Sequence, residues 1–267
     1  MSERIRHIVS FSGGKASFAA AARVVETYGR SSVTLVFADT LIEDEDLYRF
    51  LMEGQTALHC ELVWLRDGRT PWEVFRDRKY IGNSRVAPCS HELKIKQVRQ
   101  WMETHCTPGN TVLHLGISWD EQERLPRAQK NWNKWIVTAP LCWDPFWTER
   151  DVAKCLERYD IDRPRLYDMG FPHNNCGGFC VRAGQGQMQA LYRQMPERYL
   201  WHEEQMESVM RDAPSTRPFI RQSGPNGTNY LTLKQWREQM DAKPWIDMEP
   251  AGGCGCFVDE ADEAGAS

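Results

Sequence analysis

The amino-acid sequence predicts an α/β protein: a parallel five-stranded sheet with helices on both faces, followed by a mainly helical, cysteine-bearing C-terminal lobe. The first observation is that short apolar segments alternate with longer amphipathic ones through residues 5–156. This alternation is typical of strand–helix–strand units with right-handed crossovers. The second is that glycine and polar residues follow the first two apolar segments, at 12–17 and 39–40. The third is a change after residue 170 to helical periodicity and paired cysteines.

Each element of the sheet region has a local reason. Five apolar runs are expected to form the strands, namely 5–11, 33–37, 61–65, 111–117 and 135–139. The Ala-rich segment 16–28 predicts a helix that ends at Gly29, because glycine readily adopts the left-handed conformation needed there. Acidic residues at 43–46 mark the start of a second helix. Thr148, with Asp151 three residues later, predicts a capping box.

The C-terminal part has a different pattern. Residues 185–211 predict helix, 214–228 predict a polar loop, and Thr232 is expected to cap a last helix that ends near residue 240. The apolar face of the 185–211 helix is expected to carry Leu191, Met195, Tyr199, Leu200 and Met206. We therefore expect two domains, an α/β domain over 1–170 that contains the glycine-bearing segment 12–17, and a helical lobe over 171–267 with cysteine pairs and an acidic tail.

Composition narrows the class of protein. No run of 18 apolar residues occurs in the 267-residue sequence, and the first residues lack a signal-peptide core, so we expect a cytoplasmic protein without a membrane partner. Nine cysteines, an odd number, favour metal or redox chemistry over a disulfide framework. Six carboxylates after Lys243 account for the net charge of −4, and without them it becomes +2. This balance neither requires nor excludes a nucleic-acid partner.

The turn between the first strand and its helix reads Ser-Gly-Gly-Lys-Ala-Ser. Paired glycines let backbone N–H groups approach an anion, and the following helix directs its positive end to the same place. Val9 and Ala16 stand where a P-loop NTPase needs Gly and Ser or Thr, so that class is excluded. An ordinary strand-to-helix turn stays open as the alternative. The residues expected to hold phosphate are Ser12, Gly13, Gly14, Lys15 and Ser17.

This turn resembles the Ser-Gly-Gly-x-Asp-Ser loop of the PP-loop ATP pyrophosphatases. That superfamily includes the adenylylsulfate and phosphoadenylylsulfate (PAPS) reductases and several nucleic-acid thiolation enzymes. The resemblance implies a Rossmann-like, adenine nucleotide alpha-hydrolase-like fold that binds ATP with Mg²⁺. Ala16 departs from the pattern, since Asp is usual there. Asp39 and Thr40 resemble the family's Asp-Thr-Gly beside the nucleotide, although Asp39 as a helix cap is an open alternative.

Two further segments match the family in the expected order. Cys89 and the pair Leu93-Lys94 have the family's spacing at the start of a helix. Residues 116–127 resemble its Gly-x-Arg-x-x-Glu-Ser-x-x-Arg segment, with Ser118 in place of the first Arg. The resemblance implies contacts between this segment and acidic groups of the substrate, and guanidinium groups suit phosphate or sulfate oxygens. A solvated charge cluster is the alternative. The residues carried over here are Gly116, Arg124 and Arg127, and the implied catalytic set is Lys15, Cys89, Lys94, Arg124 and Arg127.

The cysteines form a spaced pattern. Cys176 and Cys180 are spaced Cys-x₃-Cys, and Cys89 lies 176 − 89 = 87 residues earlier. This is similar to adenylylsulfate reductases and iron–sulfur tRNA thiolases, which implies a [4Fe–4S] cluster held by these three residues. Cys254 and Cys256, between glycines, are further candidate ligands or a mobile thiol arm. Structural zinc and free thiols remain as alternatives.

The first functional hypothesis implied by the resemblance is an ATP pyrophosphatase with sulfurtransferase activity. It would adenylate tRNA or the DNA backbone, as in DNA phosphorothioation systems, and pass on sulfur from a cysteine or cluster persulfide. A sulfur donor such as a cysteine desulfurase and partner proteins of a modification system are then expected. The second hypothesis is a sulfonucleotide reductase that releases sulfite. The third is a non-catalytic nucleotide-sensing subunit.

Overall fold

A parallel sheet forms the centre of the protein, and the computed structural model describes residues 5–225, 227–243 and 248. Its strands are β1 (Arg6–Ser10), β2 (Val33–Asp39), β3 (Glu61–Arg66), β4 (Thr111–His114) and β5 (Ile136–Thr138). They are all parallel in the order β3-β2-β1-β4-β5. The predicted fold class and all five strands are therefore confirmed, with ends that differ by a few residues.

Helices connect and flank these strands. In the described residues the α-helices are α1 (Lys15–Tyr28), α2 (Glu45–Leu58), α3 (Pro71–Arg78), α4 (Pro88–Ser90), α5 (Lys96–His105), α6 (Leu125–Asn131), α7 (Glu149–Arg158), α8 (Arg165–Asp168), α9 (Gln185–Gln194), α10 (Pro196–Asp212) and α11 (Leu233–Ala242). A π-helical turn, His91–Ile95, joins α4 to α5, and short 3₁₀ turns cover Arg30–Ser32, Trp119–Arg124, Pro140–Cys142 and Cys176–Gly178. As predicted, Gly29 ends α1, at a φ of 81°, Thr148 begins α7 with a capping box, and Thr232 caps α11. The cap at Thr232 is also a capping box.

Successive residues of a strand face opposite sides of the sheet, and each side has its own core. Val9 packs with α1, α2 and α7, whereas its neighbour Ile8 packs with α5 and α6. Four consecutive alanines of α1, residues 19–22, are fully buried. Their small side chains let α1 lie close against α7 and the 140–142 turn. The loop 12–17 is consequently fixed between a rigid strand and a rigid helix.

Two C-terminal expectations are wrong. The single helix predicted over 185–211 is two helices, α9 and α10, because Pro196 lacks the N–H that a continuous helix needs and begins α10 instead. Leu200 is 41% exposed and does not belong to the apolar face. The polar loop predicted over 214–228 contains most of an antiparallel hairpin, β6 (Ile220–Gly224) and β7 (Gly227–Leu231). Its strands are largely solvent-exposed and polar, so they lack the apolar alternation that reveals a strand.

A third core joins the C-terminal helices to the sheet region. Trp72 and Phe75 of α3 pack with Tyr199 and Met206 of α10 in this core. The division at residues 170 and 171 stays a prediction. Cys254, Cys256 and the acidic residues that follow them lie outside the described residues. In the described part of the chain, every helix is too short or too polar to cross a membrane.

Candidate active site

A cavity of about 440 Å³ opens at the carboxyl ends of β1 and β4. The predicted residues that line it are Ser12, Gly14, Lys15, Ser17, Lys94, Gly116 and Arg124. The structure therefore brings the glycine turn and residues from two distant segments into one site. Three cationic side chains, Lys15, Lys94 and Arg124, face the same space, as a site for an anion requires.

Two glycines determine the shape of the turn. Gly13 has a φ of +79°, and a Cβ there would lie 2.6 Å from Leu47 Cγ, so both conformation and packing require glycine. A Cβ on Gly116 would lie 2.7 Å from Ser17 Cα. Because glycine has no Cβ, the segment after β4 can approach the start of α1 this closely. The Ser17 hydroxyl donates to the Gly14 carbonyl oxygen at 2.7 Å. Because no side chain caps the N-terminus of α1, its backbone N–H groups are left for a ligand.

Lys15 is held at the mouth of the cavity by two contacts. Its ammonium group pairs with the carboxylate of Glu149 and lies 4.6 Å from the centre of the Tyr167 ring. Glu149 is the first residue of α7 and is 72% exposed, whereas Lys15 is 23% exposed. An anion that binds the turn must therefore compete with Glu149 for the Lys15 ammonium.

A buried ion pair lies beneath the cavity. Lys94 Nζ is 3.7 Å from Glu43 Oε1, and both side chains are at least 95% buried. The Thr40 hydroxyl donates to Glu43 Oε1 at 2.8 Å, and the Cys176 N–H donates to Glu43 Oε2. Burial raises the pKa of Glu43, while the Lys94 ammonium opposes this rise. Thr40 therefore contacts Glu43, and a direct contact between Thr40 and the nucleotide stays a prediction.

The three cysteines predicted to act together line a second, smaller cavity of about 20 Å³. Lys94 lines this thiol cavity as well as the larger one, and its Nζ lies 3.9 Å from Cys176 Sγ. Cys89, Cys176 and Cys180 are all outside disulfides. Cys176 has a φ of 54°, unusual for a residue with a side chain, and its N–H bond to Glu43 helps to hold it there.

The thiol cavity does not fit an iron–sulfur cluster in its present arrangement. Its volume is close to that of one water molecule, far less than a [4Fe–4S] cube occupies. Across residues 5–225, 227–243 and 248, no group of three or more His, Cys, Asp or Glu side chains is arranged to hold a metal ion. A cluster or zinc ion at Cys89, Cys176 and Cys180 stays a prediction, and no step below depends on it.

Two predicted residues lie away from both cavities. The Asp39 carboxylate is buried and accepts four hydrogen bonds, from the Leu41 N–H, Tyr48, Trp64 and Arg66. It does not cap α2, because that position belongs to Asp44, so the alternative proposed for Asp39 is wrong. Arg127 is exposed on α6 and does not line the larger cavity. Nucleotide contacts by Asp39 and Arg127 stay predictions.

Sequence reasoning missed the segment 172–175, which forms one wall of the larger cavity. Asn174 is fully buried and donates to the Gly13 carbonyl oxygen at 2.8 Å, so it fixes the glycine turn. Burial and the nearby Lys94 ammonium lower the pKa of His173 to about 4. Pro172, His173 and Asn175 line the cavity. The run His-Asn-Asn directly before Cys176 was the available signal.

A glycine turn at a helix N-terminus, at the edge of a parallel sheet and beside three cations, defines an α/β protein of the phosphate-binding class. Residues 6–178 match the phosphoadenosine phosphosulfate reductase domain family, and this chain belongs to that family. The membership confirms the PP-loop resemblance and indicates an enzyme of nucleotide-related sulfur chemistry.

A comparison with curated proteins finds no significant match. Among solved structures, a phosphoadenylyl-sulfate (PAPS) reductase from Candida auris, a phosphate complex, is similar to this chain. The similarity covers 62% of this chain and 77% of that one, with 15% sequence identity and a TM-score of 0.43.

Proposed function

We propose that this protein is an ATP pyrophosphatase that adenylates an acceptor and then directs sulfur transfer onto it. One observation carries the proposal: Lys94 lines both the cavity with the glycine turn and the cavity with the three thiols. A nucleotide phosphate and a sulfur nucleophile can therefore be held on either side of one cation. The acceptor that we propose is a nucleic acid, either tRNA or the DNA backbone.

The lining residues support this reaction in distinct ways. Lys15 and Arg124 offer cationic donors to phosphate oxygens, and the backbone N–H groups at the start of α1 add neutral ones. Asp120, Glu121 and Glu149 also line the cavity. Carboxylates suit Mg²⁺, which is commonly held by one or two of them together with substrate phosphates. These residues are consistent with ATP bound as its magnesium complex.

Sulfur transfer needs a nucleophile and a good leaving group. Adenylation makes the acceptor oxygen part of a good leaving group, AMP, and thiolate sulfur is the natural attacking atom. Cys176 is the thiol that lies within 3.9 Å of Lys94 Nζ. A persulfide donor such as a cysteine desulfurase, within a nucleic-acid modification system such as phosphorothioation, would supply the sulfur. Cys89 and Cys180 line the same cavity and would serve as resolving thiols.

A second candidate is a sulfonucleotide reductase, favoured by the family to which residues 6–178 belong. In that reaction a cysteine thiolate attacks the sulfur of a bound phosphosulfate and an adenosine phosphate leaves; reduction of the thiosulfonate by a second thiol then releases sulfite. The same cations would hold the phosphosulfate group. Binding of nucleotide without turnover would instead indicate the sensing subunit.

One assay separates these functions. Anaerobically purified protein is incubated either with ATP, tRNA or DNA and a persulfide donor, or with adenylylsulfate or PAPS and a thiol reductant. Pyrophosphate formed only in the presence of acceptor supports the first proposal, whereas sulfite supports the reductase. Lys15→Ala should abolish either turnover, and Lys130→Ala, at an exposed position on α6 outside the cavity, is the matched control. Iron, sulfide and zinc analysis of the same sample tests the metal prediction.

A further inference from the structure

We propose that His173 binds an oxygen of the substrate's phosphate or sulfate group as a neutral hydrogen-bond donor, through Nε2–H. This inference rests on the proposed function, because it places the anionic part of the substrate in the larger cavity. His173 lies in the 172–175 wall and lines that cavity together with Lys94 and Arg124. No motif of the sequence assigned it a role.

The two ring nitrogens of His173 have different surroundings. Nδ1 is enclosed by protein and has no hydrogen-bond partner. The residue lines the cavity and is only partly buried, and Nε2 is not among the enclosed side-chain atoms that lack a partner, so we place Nε2 on the cavity side of the ring. An enclosed donor without an acceptor is rarer in proteins than an enclosed acceptor without a donor. The proton of the neutral ring is therefore placed on Nε2, where it can reach a ligand.

The charge of the ring supports the same assignment. The pKa of His173 is lowered to about 4, first by burial and then by the Lys94 ammonium, so the ring is neutral near pH 7. A neutral donor beside Lys94 adds a hydrogen bond to a bound anion without adding charge repulsion within the wall. An oxygen that accepts from the His173 ring and also pairs with the Lys94 ammonium is anionic, as in a phosphate or sulfate ester.

A second residue of this wall indicates a missing partner. Asn175 is 8% exposed and lines the cavity, and its Oδ1 is enclosed without a hydrogen bond. Between the two, Asn174 ties the wall to the Gly13 carbonyl oxygen at 2.8 Å. The wall is therefore fixed relative to the glycine turn before any ligand arrives. Such preorganisation is expected of a group that contacts substrate directly.

Three substitutions distinguish the two nitrogens. The amide nitrogen of Gln lies near the position of Nε2, that of Asn lies near Nδ1, and Leu provides neither. With ATP as the probe in calorimetry, His173→Gln should keep the affinity within about threefold. His173→Asn and His173→Leu should each weaken it about tenfold or more, as expected for loss of a hydrogen bond to a charged group. His105→Leu, at an exposed position at the end of α5, is the matched control.

The tautomer is measured independently of any activity. Nitrogen-15 NMR of histidine-labelled protein without ligand should show His173 neutral, with its proton on Nε2. A proton on Nδ1, or unchanged ATP affinity in His173→Leu, would overturn the inference. If the wild-type protein fails to bind ATP, the proposed function fails, and the same series is then run with PAPS and inorganic phosphate. The NMR result decides the tautomer in either case.

Discussion

The pairing of Lys15 with Glu149 predicts that Glu149→Gln increases the affinity of the cavity for phosphate. The Glu149 carboxylate is paired with the Lys15 ammonium group that a bound anion would need. An ion pair between solvent-exposed side chains contributes about 0.2–1 kcal/mol of stabilising free energy. Its release should therefore tighten anion binding by up to about fivefold, since about 1.4 kcal/mol corresponds to tenfold.

The assay is calorimetry with inorganic phosphate and without Mg²⁺, so that any role of Glu149 in holding the metal cannot contribute. Lys15→Ala should weaken binding about tenfold or more, because a hydrogen bond to a charged group is worth about 1.5–3 kcal/mol. In the Lys15→Ala background, Glu149→Gln should give little further change, apart from a small gain from removing a negative charge. Glu157→Gln, at an exposed position near the other end of α7, is the control. Equal gains from Glu149→Gln with and without Lys15 would refute the competition.

Three more predictions concern other parts of the molecule. Arg124→Lys should weaken phosphate binding about tenfold, because lysine cannot reproduce a bidentate contact. Arg127→Lys should have little effect, because Arg127 does not line the cavity. Equal losses of phosphate affinity in the two variants would contradict this assignment. Gly116→Ala should lower the free energy of unfolding by about 1–3 kcal/mol and distort the glycine turn, since its Cβ would meet backbone at 2.7 Å. Gly224→Ala, with no atom within 4 Å of the new Cβ, is its control in urea unfolding. Burial lowers the pKa of His114 to about 3, so the unfolded state gains protons first as pH falls. The resulting loss of folding stability begins near pH 6.5, reaches about 2 kcal/mol at pH 5 and continues to grow towards pH 3. His114→Asn should reduce the difference in unfolding free energy between pH 7 and pH 5, measured by urea titration at each pH.

The sheet and the glycine turn could be predicted from the sequence because their signals are local. An apolar run such as 33–37 predicts a strand that is buried on both faces of the sheet. The sequence Ser-Gly-Gly-Lys directly follows another such run, 5–11. The hairpin of β6 and β7 has no comparable signal, since its pairing is backbone-mediated and most of its side chains are exposed. Pro196 marks the start of α10, but the helical periodicity continues on both sides of it, so the pattern alone predicted one helix.

The candidate site was predicted only in part, because the residues of the larger cavity come from six segments whose contacts depend on the fold. The cations at Lys15, Lys94 and Arg124 were identified from matched motifs, and the structure brings all three to one cavity. Arg127 belongs to the same motif as Arg124 but lies on the exposed side of α6. Arg124 ends the 3₁₀ turn 119–124, whereas Arg127 lies within α6, and the spacing of the motif does not show where one element ends and the next begins.

The segment from Asn174 to Cys176 connects the two cavities in the chain itself. Asn174 holds the carbonyl oxygen of Gly13, and two residues later the Cys176 N–H binds Glu43, the partner of Lys94. The glycine turn, the buried cation and the thiol are therefore positioned by contacts to one short stretch of backbone. Movement of Lys94 toward a bound anion would weaken its pair with Glu43, and Glu43 is the acceptor of the Cys176 N–H. This arrangement gives a physical route by which an occupied phosphate site can alter the position of the nucleophile.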